Sequence, residues 1–117
     1  MAFSGPKRRV VITGMGAITP VGMNVQDYWQ SLLAGKSGAG PITYFDASIY
    51  ETKFACEVKG FDPLKHMDRK LAQRTDLFTQ FALVAAEMAL VDSGLKLEQE
   101  DRERIGVIVG SGIGGMW

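Results

Sequence analysis

Apolar positions along this chain fall into distinct kinds of run, and each kind predicts a different element. Arg9-Val-Val-Ile-Thr13 and Ile105-Gly-Val-Ile-Val109 are short and β-branched, with little alternation, so both predict buried strands. Val25, Tyr28, Trp29, Leu32 and Leu33 instead recur at helical spacing. Asn24 stands before them as an N-cap, Asp27 lies in the first turn and Gly35 ends the run, which together predict an amphipathic helix. A longer helix opens at Thr75 or Asp76 and stops at Gly94. In it Leu77, Phe78, Phe81, Ala82, Val84, Ala85, Met88, Ala89 and Leu90 cover most of the circumference, the pattern of a helix buried between layers.

The connecting segments are legible as breakers. Met1 to Pro6 reads as a loose leader, Gly14-Met15-Gly16 ends the first strand, and Pro20-Val21-Gly22 prolongs the turn. Lys36 to Pro41 reads as loop, Thr52 to Val58 alternates weakly as a strand, and Gly60-Phe61-Asp62-Pro63 breaks it. Glu98 to Arg104 is a charged stretch that predicts a solvated turn or short helix. The order strand, helix, excursion, long helix, strand predicts an α/β layered domain whose parallel strands are joined by right-handed crossovers. Neither an internal repeat nor a composition shift divides the chain.

Composition narrows the function classes. The 117 residues make one domain at most, with 46% hydrophobic and 22% charged residues, ordinary for a core-forming protein. Thirteen Lys and Arg balance thirteen Asp and Glu, so bulk charge argues for neither nucleic acid nor membrane. Trp29 and Trp117 lack the basic, aromatic-interleaved setting of a nucleic-acid surface. A single cysteine rules out an internal disulfide or a C-x-x-C metal pair and fits a reducing compartment. No apolar run approaches the ~20 residues of a membrane span, and no signal-peptide core precedes Lys7-Arg8-Arg9, so the expected location is cytoplasmic. Against this neutral background Lys65, Arg69, Lys70 and Arg74 form a local basic cluster.

Specific wording carries the reading further. Arg8-Arg-Val-Val-Ile-Thr-Gly-Met-Gly-Ala-Ile-Thr-Pro-Val-Gly22, Leu32-Leu-Ala-Gly-Lys-Ser-Gly38 and Phe54-Ala-Cys-Glu-Val-Lys-Gly-Phe-Asp-Pro63 resemble the N-terminal part of a β-ketoacyl-acyl carrier protein synthase of the elongating type. Asp68-Arg-Lys70, Arg74-Thr-Asp76, Asp92-Ser-Gly-Leu95 and Ile105-Gly-Val-Ile-Val-Gly-Ser-Gly-Ile-Gly-Gly115 continue the resemblance in order along nearly the whole chain. It implies a thiolase-like α/β fold of helices around mixed sheets, of which residues 1–117 would be the first part of the N-terminal half. It also implies decarboxylative condensation of a malonyl-loaded acyl carrier protein with an acyl-enzyme by a Cys-His-His set, a homodimer, and no cofactor or metal. That catalytic set is expected beyond Trp117, so this polypeptide alone is expected to be inactive. The resemblance assigns Lys65, Arg69, Lys70 and Arg74 to docking of the acidic carrier and Ile113 to the acyl pocket. Gln73 departs from it where relatives often add another base.

Other readings attach to single residues. Cys56 follows an alanine, as the family nucleophile does, but it precedes Glu57 in a strand-like alternation and reads as a half-buried structural thiol. His66, between Lys65 and Met67, reads as a solvated or carrier-facing imidazole in a charged loop. Gly110, Gly112 and Gly115 fit G-x-G-x-x-G after a strand, so a Rossmann nucleotide-binding domain is the distant alternative. Gly14-Met15-Gly16 fails that motif at Thr19 and reads as a turn that brings backbone close to a neighbour. A polyketide ketosynthase and a non-catalytic chain-length factor share the same front segment and remain open.

Overall fold

The computed structural model describes residues 9–115; the Met1–Pro6 leader and Trp117 lie outside the described residues. The first helix, α1 (Val25–Leu33), begins where expected. Asn24 is in extended backbone, its side-chain oxygen accepts from the Asp27 N–H at 2.8 Å, and its amide donates back to the Asp27 carboxylate at 2.7 Å. This reciprocal cap satisfies a first-turn N–H and fixes the entry to the helix. Ser31 donates to the Val21 carbonyl at 2.6 Å and so ties α1 to the turn before it.

Two short strands follow, β1 (Gly40–Pro41) and β2 (Phe54–Ala55), paired antiparallel with Gly40 opposite Ala55 and Pro41 opposite Phe54. The segment expected to be loop therefore supplies a strand, and the strand expected over Thr52 to Val58 contracts to its centre. Pro41 has no N–H to donate, which confines this pair to a short edge-type ladder.

A 3-10 turn (Pro63–Lys65) leads into α2 (Arg69–Arg74), capped by Asp68, and then α3 (Leu77–Ser93). Gly94 ends α3 in the left-handed conformation (φ 65°) at little steric cost, and a last 3-10 turn spans Arg102–Arg104. Val84 on α3, 2% exposed, is the buried apolar residue among those described, whereas Leu83, Leu90 and Val91 stay exposed on the same helix. The helix expected between two layers is thus covered on one side only. That cover includes the Gly14–Gly16 segment. A β-carbon at Gly14 would strike the Ala89 carbonyl oxygen, and one at Gly16 would strike that of Ala85. The Met15 N–H donates to the Asp92 carboxylate at 2.9 Å and pins the crossing.

The two strands expected at Arg9–Thr13 and Ile105–Val109 do not form. Val10 is 89% exposed and Ile108 99%, with no backbone ladder on either run among the described residues. Apolar, β-branched composition prepares a chain for a sheet, but a strand exists only where a neighbour supplies the other half of the hydrogen bonds. The parallel crossover pattern is likewise not formed, since the single ladder among the described residues is antiparallel.

Candidate functional site

The basic cluster sits on exposed backbone between residues 62 and 74. Asp62 accepts from the Leu64 N–H at 3.1 Å and starts the 3-10 turn that ends at Lys65; Asp68 accepts from the Leu71 N–H at 2.9 Å and starts α2. Arg69 and Lys70 occupy the first turn of α2, and Arg74 is its last residue. Lys70 and Arg74, four apart, share one helix face, and Lys65, Arg69, Lys70 and Arg74 are all exposed. A cation at the C-terminal end is favoured by the helix dipole, but two cations in the first turn oppose it. Helix stability does not ask for Arg69 and Lys70 where they stand.

The elbow between α2 and α3 is held by side chains. Thr75 donates to the Leu71 carbonyl at 2.7 Å, and the Gln80 amide donates to the carbonyls of Ala72 at 2.9 Å and Thr75 at 2.8 Å. The terminal glycine loop meets this elbow. A β-carbon on Gly115 would collide with the Asp76 carboxylate, and one on Gly114 (φ +81°) would lie in van der Waals contact with the Phe78 ring. Gly114 and Gly115 line a cleft of about 260 Å³ with Cys56, Glu57, Asp76, Leu77, Phe78 and Phe81. The glycine loop and the basic helix thus converge on the same elbow, while Ile113 itself projects 77% exposed.

Glu57, 7% exposed, closes the excursion that carries β1 and β2. The Thr43 hydroxyl donates to it at 2.6 Å, the Thr43 N–H at 2.8 Å and the Tyr44 N–H at 3.4 Å. The Thr43 hydroxyl, then its N–H, hold the Glu57 carboxyl below the usual carboxylate range. The same alternation turns Ala55 and Glu57 inward and leaves Cys56 exposed, not half-buried as expected. His66 is exposed beside a 3-10 turn, with its ring stacked on Phe61 at 5.9 Å and 6° between planes. Phe61 meets Phe81 edge-on at 4.9 Å. Among the described residues no cluster of three His, Cys, Asp or Glu side chains could hold a metal.

Sequence reasoning missed α2, Glu57 and Gln80. Asp68 before a run of good helix formers was a usable signal for α2, and a lone amide inside an apolar helix was one for Gln80. The Thr43–Glu57 contact spans 14 positions and leaves no local trace.

A family model described as "Beta-ketoacyl synthase, N-terminal domain" matches residues 7–116. The chain is 54% identical to the 3-oxoacyl-[acyl-carrier-protein] synthase 2 of Coxiella burnetii over 110 residues, covering 94% of this chain and 27% of that protein. It is 50% identical to the protein of the same description from Synechocystis sp. over 110 residues, again 94% of this chain and 26% of that one. Among solved structures it is similar to "The ishigamide ketosynthase/chain length factor", with a TM-score of 0.71 and 40% identity over 80% of this chain and 23% of that one. The chain spans about a quarter of the length of the curated relatives it matches.

Proposed function

The chain belongs to the β-ketoacyl synthase family and matches in structure part of a ketosynthase of thiolase-like α/β fold, and from that premise we propose that residues 1–117 are an N-terminal portion of an elongating 3-oxoacyl-acyl carrier protein synthase. The observation that carries this is the continuous match of residues 7–116, at about half identity to proteins that share one description. The reaction is a decarboxylative condensation: the malonyl thioester loses carbon dioxide, the resulting enolate attacks the carbonyl of the acyl-enzyme thioester, and the enzyme thiolate leaves. Thiolate and oxyanion donors are the parts such a reaction needs. Of the residues in this chain, Cys56 does not answer to the nucleophile, since it is exposed in strand-like alternation away from any helix start.

In this reading the segment binds and positions. Lys65, Arg69, Lys70 and Arg74 dock an acidic acyl carrier protein, supported by their exposure and by first-turn cations that helix stability disfavours. Ile113 contributes to the acyl pocket, supported by its place as the one bulky side chain between Gly110 and Gly115. The synthase works in the cytoplasm as a homodimer; no helix among the described residues is long and apolar enough to cross a membrane. A ketosynthase or chain-length factor of polyketide assembly is a second reading, favoured by the 40% identity to the solved ketosynthase/chain length factor. A glutamine where the nucleophilic cysteine belongs would mark a partner subunit.

The docking role is tested in a full-length synthase carrying these residues, by reversing Lys70 and Arg74 to Glu together. The expected result is a roughly tenfold higher KM for carrier-bound substrate at low salt, with kcat retained and the salt dependence flattened. An unchanged KM at low salt overturns it.

A further inference from the structure

Gln80 stands out as a polar side chain placed inside an apolar helix. It is 5% exposed, and its amide nitrogen donates to two carbonyls of the preceding segment, Ala72 and Thr75. Its Oε1 is buried without a hydrogen-bond partner among the described residues. A buried amide left half satisfied is a poor contributor to stability, so its two donated bonds need another account.

The account lies in what α2 lacks. That helix has six residues and buries none of them, and a helix so short has little intrinsic stability. Its direction therefore depends on polar ties at its ends. Asp68 and Thr75 belong to the helix flanks themselves, so their bonds shape α2 without relating it to anything else. Gln80 reaches back from the second turn of α3, the long helix that carries the buried Val84. Its bond to Ala72 closes over eight positions and joins the C-terminal turn of α2 to the α3 frame.

We infer that Gln80 is a positioning residue that sets how α2 presents Arg69, Lys70 and Arg74 to the acyl carrier protein. This rests on the docking role proposed above. Gln80 is buried, and its action is through the backbone carbonyls of Ala72 and Thr75.

The test uses Gln80→Met in a full-length synthase carrying these residues, an unbranched side chain of similar length that removes both donors and the orphan acceptor together. The KM for malonyl-carrier is expected to rise about fivefold, with kcat and the KM for a coenzyme A-bound primer unchanged. Amide exchange is expected to quicken at Ala72 to Thr75 but not around Val84. Proportional losses on both substrates, or no change in α2 exchange, overturn the inference. Gln80→Glu, which keeps the shape but sets a carboxylate against two carbonyls, should give the same split; if both variants fail to fold, Gln80 is a stability residue and the inference falls. The Lys70→Glu, Arg74→Glu variant runs beside them. A carrier KM that moves with the charges but not with Gln80 overturns this inference alone, and one that ignores the charges overturns the docking role with it.

Discussion

Gly14-Met15-Gly16 and Gly110-Ser-Gly-Ile-Gly-Gly115 each follow a short β-branched run, yet their surroundings are opposite. At the first, absent side chains let backbone lie directly on α3, against the carbonyls of Ala85 and Ala89. At the second, Gly110 and Gly112 have nothing within 4 Å of a notional β-carbon, and only Gly114 and Gly115 are seated, against Phe78 and Asp76. One glycine segment is packing and the other is a loop anchored at its far end. Glycine content alone does not tell them apart; the neighbour does.

The largest effect that tests this contrast is Gly16→Ala, which forces a methyl into the α3 backbone. In a full-length synthase carrying these residues it should cost about 3 kcal/mol in urea unfolding, and a neutral result would deny the close crossing. Next is Ile113→Phe in the open part of the loop. If this side chain borders an alkyl slot, the larger ring should disfavour long acyl primers over short ones by about 2 kcal/mol in kcat/KM, whereas equal losses for all lengths would point to general damage. At the anchored end, Gly114→Ala should cost about 1 kcal/mol of stability because φ is +81°, and Gly112→Ala, in open space, should stay within about 0.5 kcal/mol.

The smallest effect concerns acid. Glu57 lines the cleft under Gly114 and Gly115, and its folded carboxyl titrates below the unfolded one. Its contribution is complete above the unfolded value and is lost as pH falls through the lowered folded value. An acid unfolding titration of Glu57→Gln should therefore be shallower below the usual carboxylate range than that of the parent; parallel curves would remove Glu57 from the account.

What was legible in the sequence was what short stretches decide for themselves. Asn24 with Asp27, and Gly94 after an apolar run, mark helix ends by chemistry within a turn, and α1 and α3 lie where those marks place them. α2 was passed over because six residues offer too little periodicity, although Asp68 announced it. Arg9–Thr13 and Ile105–Val109 read as strands because their composition suits a sheet, but pairing belongs to a partner that composition does not name. Of the candidate site, the four cations and Ile113 were visible as residues. That the glycine loop comes to rest on the elbow after Arg74 was not, because Gly115 and Asp76 are neighbours only in space.

The pin between Met15 and Asp92 joins residues 77 positions apart, whereas Thr43 and Glu57 are 14 apart. On a translating ribosome these are different moments. The excursion closed by Glu57 can form as soon as its own residues have emerged, but the crossing has no surface to lie on until α3 exists. At ~5–20 residues per second the first glycines wait roughly 4–15 seconds for their helix. Through that interval Val10, Val11 and Ile12 travel beside them as a β-branched run with no partner, the part of the nascent chain most open to capture by another.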